Sequence, residues 1–217
     1  MSEYLEVLNR RIAVQSFQPA SNISSQDLYS LIEDASLAPS SFNLQHCRFM
    51  AITTPELKSE LANITLPANR QKVMDASLCL LFVGDTLAHT DLAQRLDECV
   101  AADTLTREVA DEWLGFVSNV YSRSNELIRD EIIRSCSLAA MVFMLSATNK
   151  GFDTCPIGFN AGGLITALRL PERYIPVMLL ALGRSIQRPI TRRPRRAVPD
   201  LLTSTKAHSP EGRGALF

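Results

Sequence analysis

Two periods of apolar residues run through the chain. Leu5, Leu8 and Ile12 recur at helical spacing and predict a first helix over 2–14, broken by Ser16-Phe17-Gln18-Pro19. A second helix starts near Ser24 or Ser25, where Ser24 and Asp27 make a shortened capping box. Its apolar face, Leu28, Leu31, Ile32 and Ala35, runs out at Pro39. Phe49-Met50-Ala51-Ile52 predicts a strand over 48–53, and Thr54-Pro55-Glu56 then opens a helix that ends before Pro67. The runs Ala76–Gly84 and Val177–Gly183 are continuously apolar, the pattern of strands buried on both faces. Between them, 87–118 is helical with Leu92, Leu96, Val100, Leu105 and Val109 as core contacts.

The longest helical pattern runs from Glu126 to about Lys150 and stops at Gly151. From Ser135 to Ala147 it is small or apolar almost all round, which predicts burial on both sides. Such a helix is either central or shared with a second subunit. Asp153–Asn160, holding Pro156 and Gly158, reads as a tight irregular loop before a short helix at 162–168. Apolar strands spaced by helices predict an α/β or α+β sandwich around one sheet, a single domain over 1–217. A helical excursion at about 87–125 and a basic tail from about 188 complete it.

Composition narrows the function. A net charge of −1 argues against a general nucleic-acid binder. The five cysteines are scattered with no CxxC and no Cys/His cluster at ligand spacing, so no metal is expected. With no signal-peptide pattern and no uninterrupted apolar run of membrane length, the expectation is a cytoplasmic protein away from membranes.

The chemistry is concentrated in a few places. Pro39-Ser40-Ser41-Phe42-Asn43-Leu44-Gln45 sets hydroxyls and amides between a helix and a buried strand. Such groups suit a polar planar heterocycle, and equally suit a turn that satisfies its own backbone. Arg10-Arg11 and Arg193-Pro194-Arg195-Arg196 are guanidinium clusters in a chain without basic excess. Guanidinium forks match phosphate, whereas the ordinary reading is a dipole-favoured helix end and a solvated tail. Lys72 either snorkels to the surface or stands beside a site. Trp113, Phe116 and Tyr121 pack together or cover an aromatic substrate. No GxGxxG or Walker pattern is present, so a nucleotide phosphate would be held by side chains. His46 reads as structural, and no catalytic triad is evident.

These residues resemble the FMN-dependent nitroreductase family. Arg10-Arg11, Phe17 and Pro19 are similar to its N-terminal pattern of paired basic residues followed by Phe and Pro. Ala38–Gln45 matches its Ala-Pro-Ser…Asn…Gln signature. Asn69–Ser77 resembles its Asn/Lys segment, Gly151–Phe159 its Pro/Gly-Phe loop, and Gly183 with Arg193 and Arg195 its C-terminal phosphate site. The matches keep the family's order from about residue 8 to residue 202.

The resemblance implies an α+β sandwich, a mostly antiparallel sheet flanked by helices, in an intertwined homodimer with two FMN sites. It implies that Arg10, Arg11, Arg193 and Arg195 hold the phosphate and ribityl chain, and that Asn69 and Lys72 face the pyrimidine edge. Pro156, Ile157 and Gly158 would lie against the isoalloxazine, and Pro39, Ser40, Ser41 and Asn43 would come from the other subunit. NADH or NADPH would pass hydride to N5, and a nitroaromatic, quinone or similar small aromatic acceptor would then take the electrons in a ping-pong cycle. A specialised dehalogenating, dehydrogenating or flavin-degrading relative, a non-catalytic flavin binder and a dimeric interaction protein without flavin are the alternatives. Three departures stand out: Ile12 replaces a Ser, Val14 or Gln15 replaces a basic residue, and the loop after Pro156 is one residue short.

Overall fold

The computed structural model describes residues 2–19, 21–187 and 192–202. Helix α1 (Glu3–Arg10) is followed by α2 (Ser25–Ser36), whose N-cap hydroxyl on Ser24 accepts from Asp27 N at 3.0 Å. Strand β1 (Cys47–Ile52) leads into α3 (Pro55–Asn63), capped by Thr54, then α4 (Arg70–Asp75) and strand β2 (Leu78–Asp85). The excursion comprises α5 (Leu92–Ala101) and α6 (Arg107–Tyr121). Long helix α7 (Asn125–Asn149), strand β3 (Asp153–Ile157), α8 (Ala161–Leu168), β4 (Tyr174–Gly183) and a terminal turn of helix, α9 (Val198–Leu201), follow.

The sheet has four strands in the order β1-β2-β4-β3, every pair antiparallel. All eight residues of β2 are buried, because side chains alternate into two separate cores. Leu78, Leu80 and Phe82, with Leu180 and Leu182 of β4, face α2, α5, α6 and α7. Cys79, Leu81 and Val83, with Leu179 and Ala181, face the layer containing Leu61, Val73 and Leu164. A strand between two helical layers must be apolar at every position, which is the pattern its sequence carries.

Three expectations change. The first helix stops at Arg10, because residues 13–17 leave it to run beside the sheet: Ala13 bridges Thr154 and Phe17 bridges Ser185. Residues 153–157, read as an irregular loop, form β3. Its proline is compatible with a strand because β3 lies at the sheet edge, where a ladder donor can be spared. Finally, α7 is not buried all round within one chain: Leu138 and Met141 are 48% and 36% exposed. By length and composition α7 would pass for a membrane span, yet half of its apolar window is buried inside the chain. Of the basic tail, residues 188–191 and those beyond 202 lie outside the described residues.

At the end of β2, polar groups enter the core. Asp85 is 1% exposed and takes two hydrogen bonds from Arg173, at 3.0 and 2.6 Å, one from Leu87 N and a longer ion pair with Arg48. Burial alone would raise its pKa, but these cations and donors together hold it below the usual carboxylate range. His46 is equally buried, with Nδ1 3.3 Å from the Ser135 hydroxyl. Burial first, then the nearby Arg95 charge, depresses its pKa to about 4, so the folded protein holds it neutral.

Two predictions follow from the packing and from these charges. At Gly84 an added Cβ would lie 1.9 Å from Ile132 Cγ2 on α7. Gly84→Ala should therefore cost at least about 1–3 kcal/mol of stability in denaturant unfolding; an unchanged midpoint would contradict this packing. In the unfolded chain His46 takes up a proton below its ordinary pKa of 6.5, while the folded chain resists until about 4. Stability should thus be complete above about pH 6.5 and fall between about 6.5 and 4, by up to one proton bound on unfolding. Asp85 extends the loss at still lower pH, as its depressed folded pKa is crossed. His46→Gln should flatten the upper window; an unaltered pH profile in that variant would assign the loss elsewhere.

Candidate functional site

One concentration of functional groups lies beside the β3 edge. The departure of residues 11–15 from α1 sets Arg11, Ile12, Ala13 and Gln15 against the C-terminal arginines, around a cavity of about 440 Å³ completed by Arg192, Arg193 and Arg195. Among the described residues, no carboxylate lines it. Arg192 Nη2 donates to the carbonyls of Leu8 and, at 2.8 Å, Arg11, satisfying acceptors left free where α1 ends. Arg195 donates to the Arg193 and Pro194 carbonyls at 2.9 and 3.2 Å. Burial, then the charges of Arg192 and Arg195, lower the Arg11 pKa. Like charges held this close are unfavourable alone and become favourable around a polyanion.

Arg10 is outside this cavity: its guanidinium donates to the Thr148 carbonyl at 3.4 Å and pairs with Glu6. Arg192, by contrast, belongs to the lining and was not singled out from the sequence, although it stands in the same basic run. Ile12 replaces a hydroxyl with an apolar wall.

Asn69 and Lys72 are joined across the start of α4, Lys72 Nζ donating to Asn69 Oδ1 at 3.1 Å. The Lys72 charge also acts on Cys155 of β3, opposing the upward push of burial on that thiol. The lysine is therefore half-buried near the sheet edge rather than snorkelling away from it. On β3, Pro156 is exposed, Ile157 is buried in the core, and Gly158 is exposed just past the strand. A Cβ at Gly158 would meet Leu66 at 3.8 Å, an ordinary contact, so nothing within this chain demands glycine there.

The Ser/Asn turn is elsewhere. It feeds β1, the opposite edge of the sheet from β3, so about 14 Å of sheet separates the edges. Phe42, Asn43 and Gln45 all have positive φ, near 50°, a conformation costly for Phe. The surroundings impose it: Leu44 is fully buried and Phe42 packs on Trp113 and Phe116, each at 5.4 Å. The Ser40 hydroxyl accepts from Gln45 N at 2.8 Å, and Arg48 Nη1 donates to the Gln45 carbonyl at 2.6 Å. Ser41 and Asn43 begin and end the turn's single 3₁₀ turn. Pro39, Ser40 and Gln45 line a cavity of about 280 Å³ that shares no residue with the arginine cavity. The sequence-predicted residues other than Arg10 therefore form two constellations at opposite edges of the sheet.

Comparison with known proteins identifies the family and the fold. The profile of the Nitroreductase family matches residues 8–184. The chain is 34% identical over 198 residues to MhqN of Bacillus subtilis, a candidate NAD(P)H nitroreductase, covering 90% of this chain and 94% of that one. It is 29% identical to the CLA biosynthesis enone reductase of Lactiplantibacillus plantarum, over 87% of this chain and 88% of that one. Among solved structures, a candidate nitroreductase from Exiguobacterium sibiricum, in complex with FMN, superposes with a TM-score of 0.82 at 28% identity. That superposition covers 94% of this chain and 98% of the other. With the signature turn, the arginine cavity and the antiparallel sheet in the places described, the chain belongs to the Nitroreductase family.

Proposed function

We propose that this protein is an FMN-dependent oxidoreductase that uses NADH or NADPH to reduce a nitroaromatic, quinone or similar conjugated acceptor. The observation that carries the reading is the arginine cavity beside the β3 edge, which no carboxylate lines among the described residues. Convergent guanidinium groups fit the phosphate of FMN in charge and donor geometry. Bound FMN supplies the redox chemistry, accepting a hydride equivalent from the nicotinamide and returning electrons to the acceptor.

The chain's own residues bind and orient. Arg11, Arg192, Arg193 and Arg195 hold the phosphate end. Lys72, fixed by Asn69, places a cation where a reduced ring carries negative charge and so favours its reduction. Pro156, Ile157 and Gly158 offer a flat backbone edge to the ring. Pro39, Ser40, Ser41 and Asn43 reach the site from a second copy of the chain, since their own β3 edge is across the sheet. Support for that copy comes from the outward Leu138 and Met141 of α7. An adjoining groove of about 520 Å³ is lined by Tyr4, Val7, Leu37, Pro39, Val142 and Leu145. Leu37, 81% exposed, is costly to leave in water unless a partner covers it. The enone reductase relative favours a second choice of acceptor, an activated C=C bond reduced at the same site.

The deciding experiment is anaerobic addition of NADH, then NADPH, to the purified protein. A flavin spectrum that bleaches with either donor and returns with a quinone, nitroarene or enone is expected; a colourless protein that FMN cannot reconstitute would overturn the reading. Arg195→Ala should weaken FMN binding by about 10- to 100-fold, the loss of a charge-assisted phosphate contact, and equal flavin retention on dialysis would contradict it. Lys72→Ala should slow anaerobic flavin reduction by about 10-fold or more while leaving the oligomer intact; unchanged kinetics would remove the lysine from the site.

A further inference from the structure

Behind the signature turn, the core holds polar atoms that lack partners. Of the buried side-chain nitrogens and oxygens without a close hydrogen bond among the described residues, His46 Nε2, His89 Nδ1, Arg95 Nε and Tyr121 OH fall in one neighbourhood, where the Ser41 hydroxyl also acts on the tyrosine oxygen. The Tyr121 ring stacks parallel to His46 at 6.3 Å and leans on His89 at 5.5 Å, while the Arg95 charge acts directly on His46. His46 and Tyr121 are 1% and 4% exposed, so bulk water does not solvate these atoms. A buried polar group without a partner costs about 1–3 kcal/mol, and several in one place require a common explanation.

The unmatched groups share one capacity, which is to donate. Arg95 Nε–H and Tyr121 O–H are donors, and either imidazole can present its free nitrogen as N–H. When Ser135 donates to Nδ1, the free N–H of His46 is at Nε2. The charge balance has the same sense. Arg48, Arg95 and Arg173 surround one buried carboxylate, Asp85, which Arg173 and Arg48 already occupy. Arg95 makes no ion pair among the described residues; it donates only to the Ala88 carbonyl, with the exposed carboxylates of Asp91 and Glu98 acting at longer range. Glu131 is the remaining acid whose charge is felt at Tyr121. The interior is thus rich in donors and positive charge, and poor in acceptors.

We propose that the polar group of His46, His89, Arg95 and Tyr121 binds a small monovalent anion, a halide being the simplest. A cavity of about 560 Å³ borders the cluster, sharing His89 and Tyr121 with it; its charged lining is Arg129, Arg173 and Glu172. Arg129, exposed on its rim, adds a cation to attract the ion. The bound anion neutralises Arg95 and accepts from the tyrosine and the histidines, tying α5 and α6 to the residue that ends the signature turn. The cluster backs the turn that the proposed function gives to the flavin of a second copy, with Ser41 acting on Tyr121, but its readout needs neither flavin nor turnover.

The test follows thermal unfolding of the purified protein at fixed ionic strength, with gluconate replaced stepwise by chloride or bromide, alongside diffraction from bromide-soaked crystals. The wild type should gain Tm saturably by several degrees, Tyr121→Phe and Arg95→Met should lose most of that gain, and an anomalous bromide peak should lie within contact of Arg95 and Tyr121. Tyr121→Phe removes a single oxygen and keeps the test decisive should Arg95→Met fail to fold. A Tm indifferent to halide, an identical gain in Tyr121→Phe, or density for water alone between these side chains would overturn the proposal.

Discussion

The fold depends on strand β2, dry on both faces along its whole length, and on the buried second half of its neighbour β4. β2 and β4 pair along their length, and their alternating side chains fill one core under α7 and another under α3 and α8. Two helical layers on one sheet leave only its edges and strand ends for polar function. β1 and β3 are those edges. The close seating of Ile132 over Gly84 presses α7 onto the sheet. The far side of α7 still carries apolar residues, Leu138 and Met141, that no described residue of the chain covers.

The site follows from this constraint. One edge carries a cavity of arginines that repel one another, the other a turn held in left-handed backbone by buried Leu44 and the Phe42–Trp113–Phe116 aromatic group. Neither suits an isolated globule. Four guanidinium groups with no carboxylate among the described residues beside them are stabilised by a phosphate, and a strained turn displaying small polar groups suits a ligand it need not reorganise to meet. The Asp85–Arg173–Arg48 group helps to hold the turn, since Arg48, which pairs with Asp85, also donates to the Gln45 carbonyl.

Much of this was legible in the sequence, for identifiable reasons. The doubly buried strands, the α2 and α3 caps and the Gly151 stop of α7 are local patterns and appear where they were read. Strand β3 was not legible, because Pro156 and Gly158 are turn residues by composition and only the edge position makes a proline acceptable there. The limit of α1 was set by bridges from Ala13 and Phe17 to residues far along the chain, which periodicity does not reveal. At the site, the resemblance picked out both arginine clusters. It could not tell that Arg10 turns away to Thr148 while Arg192 clasps the end of α1, since neighbours in a basic run look alike until the backbone is placed. The polar group around His46 escaped notice because its members are far apart in sequence.

The central claim is that the two edges of one sheet are halves of different sites, completed by a second copy. The most direct measurement is complementation: count FMN bound per dimer when an Arg11→Ala/Arg195→Ala chain is co-expressed with a Ser40→Ala/Asn43→Ala chain and the mixed dimer is purified. Each double variant alone is expected to retain little flavin, and the mixed dimer is expected to regain one of its two sites, because one edge pair is then intact. A mixed dimer that binds no more FMN than its parents, or a wild-type chain that binds FMN fully as a monomer, would contradict the account.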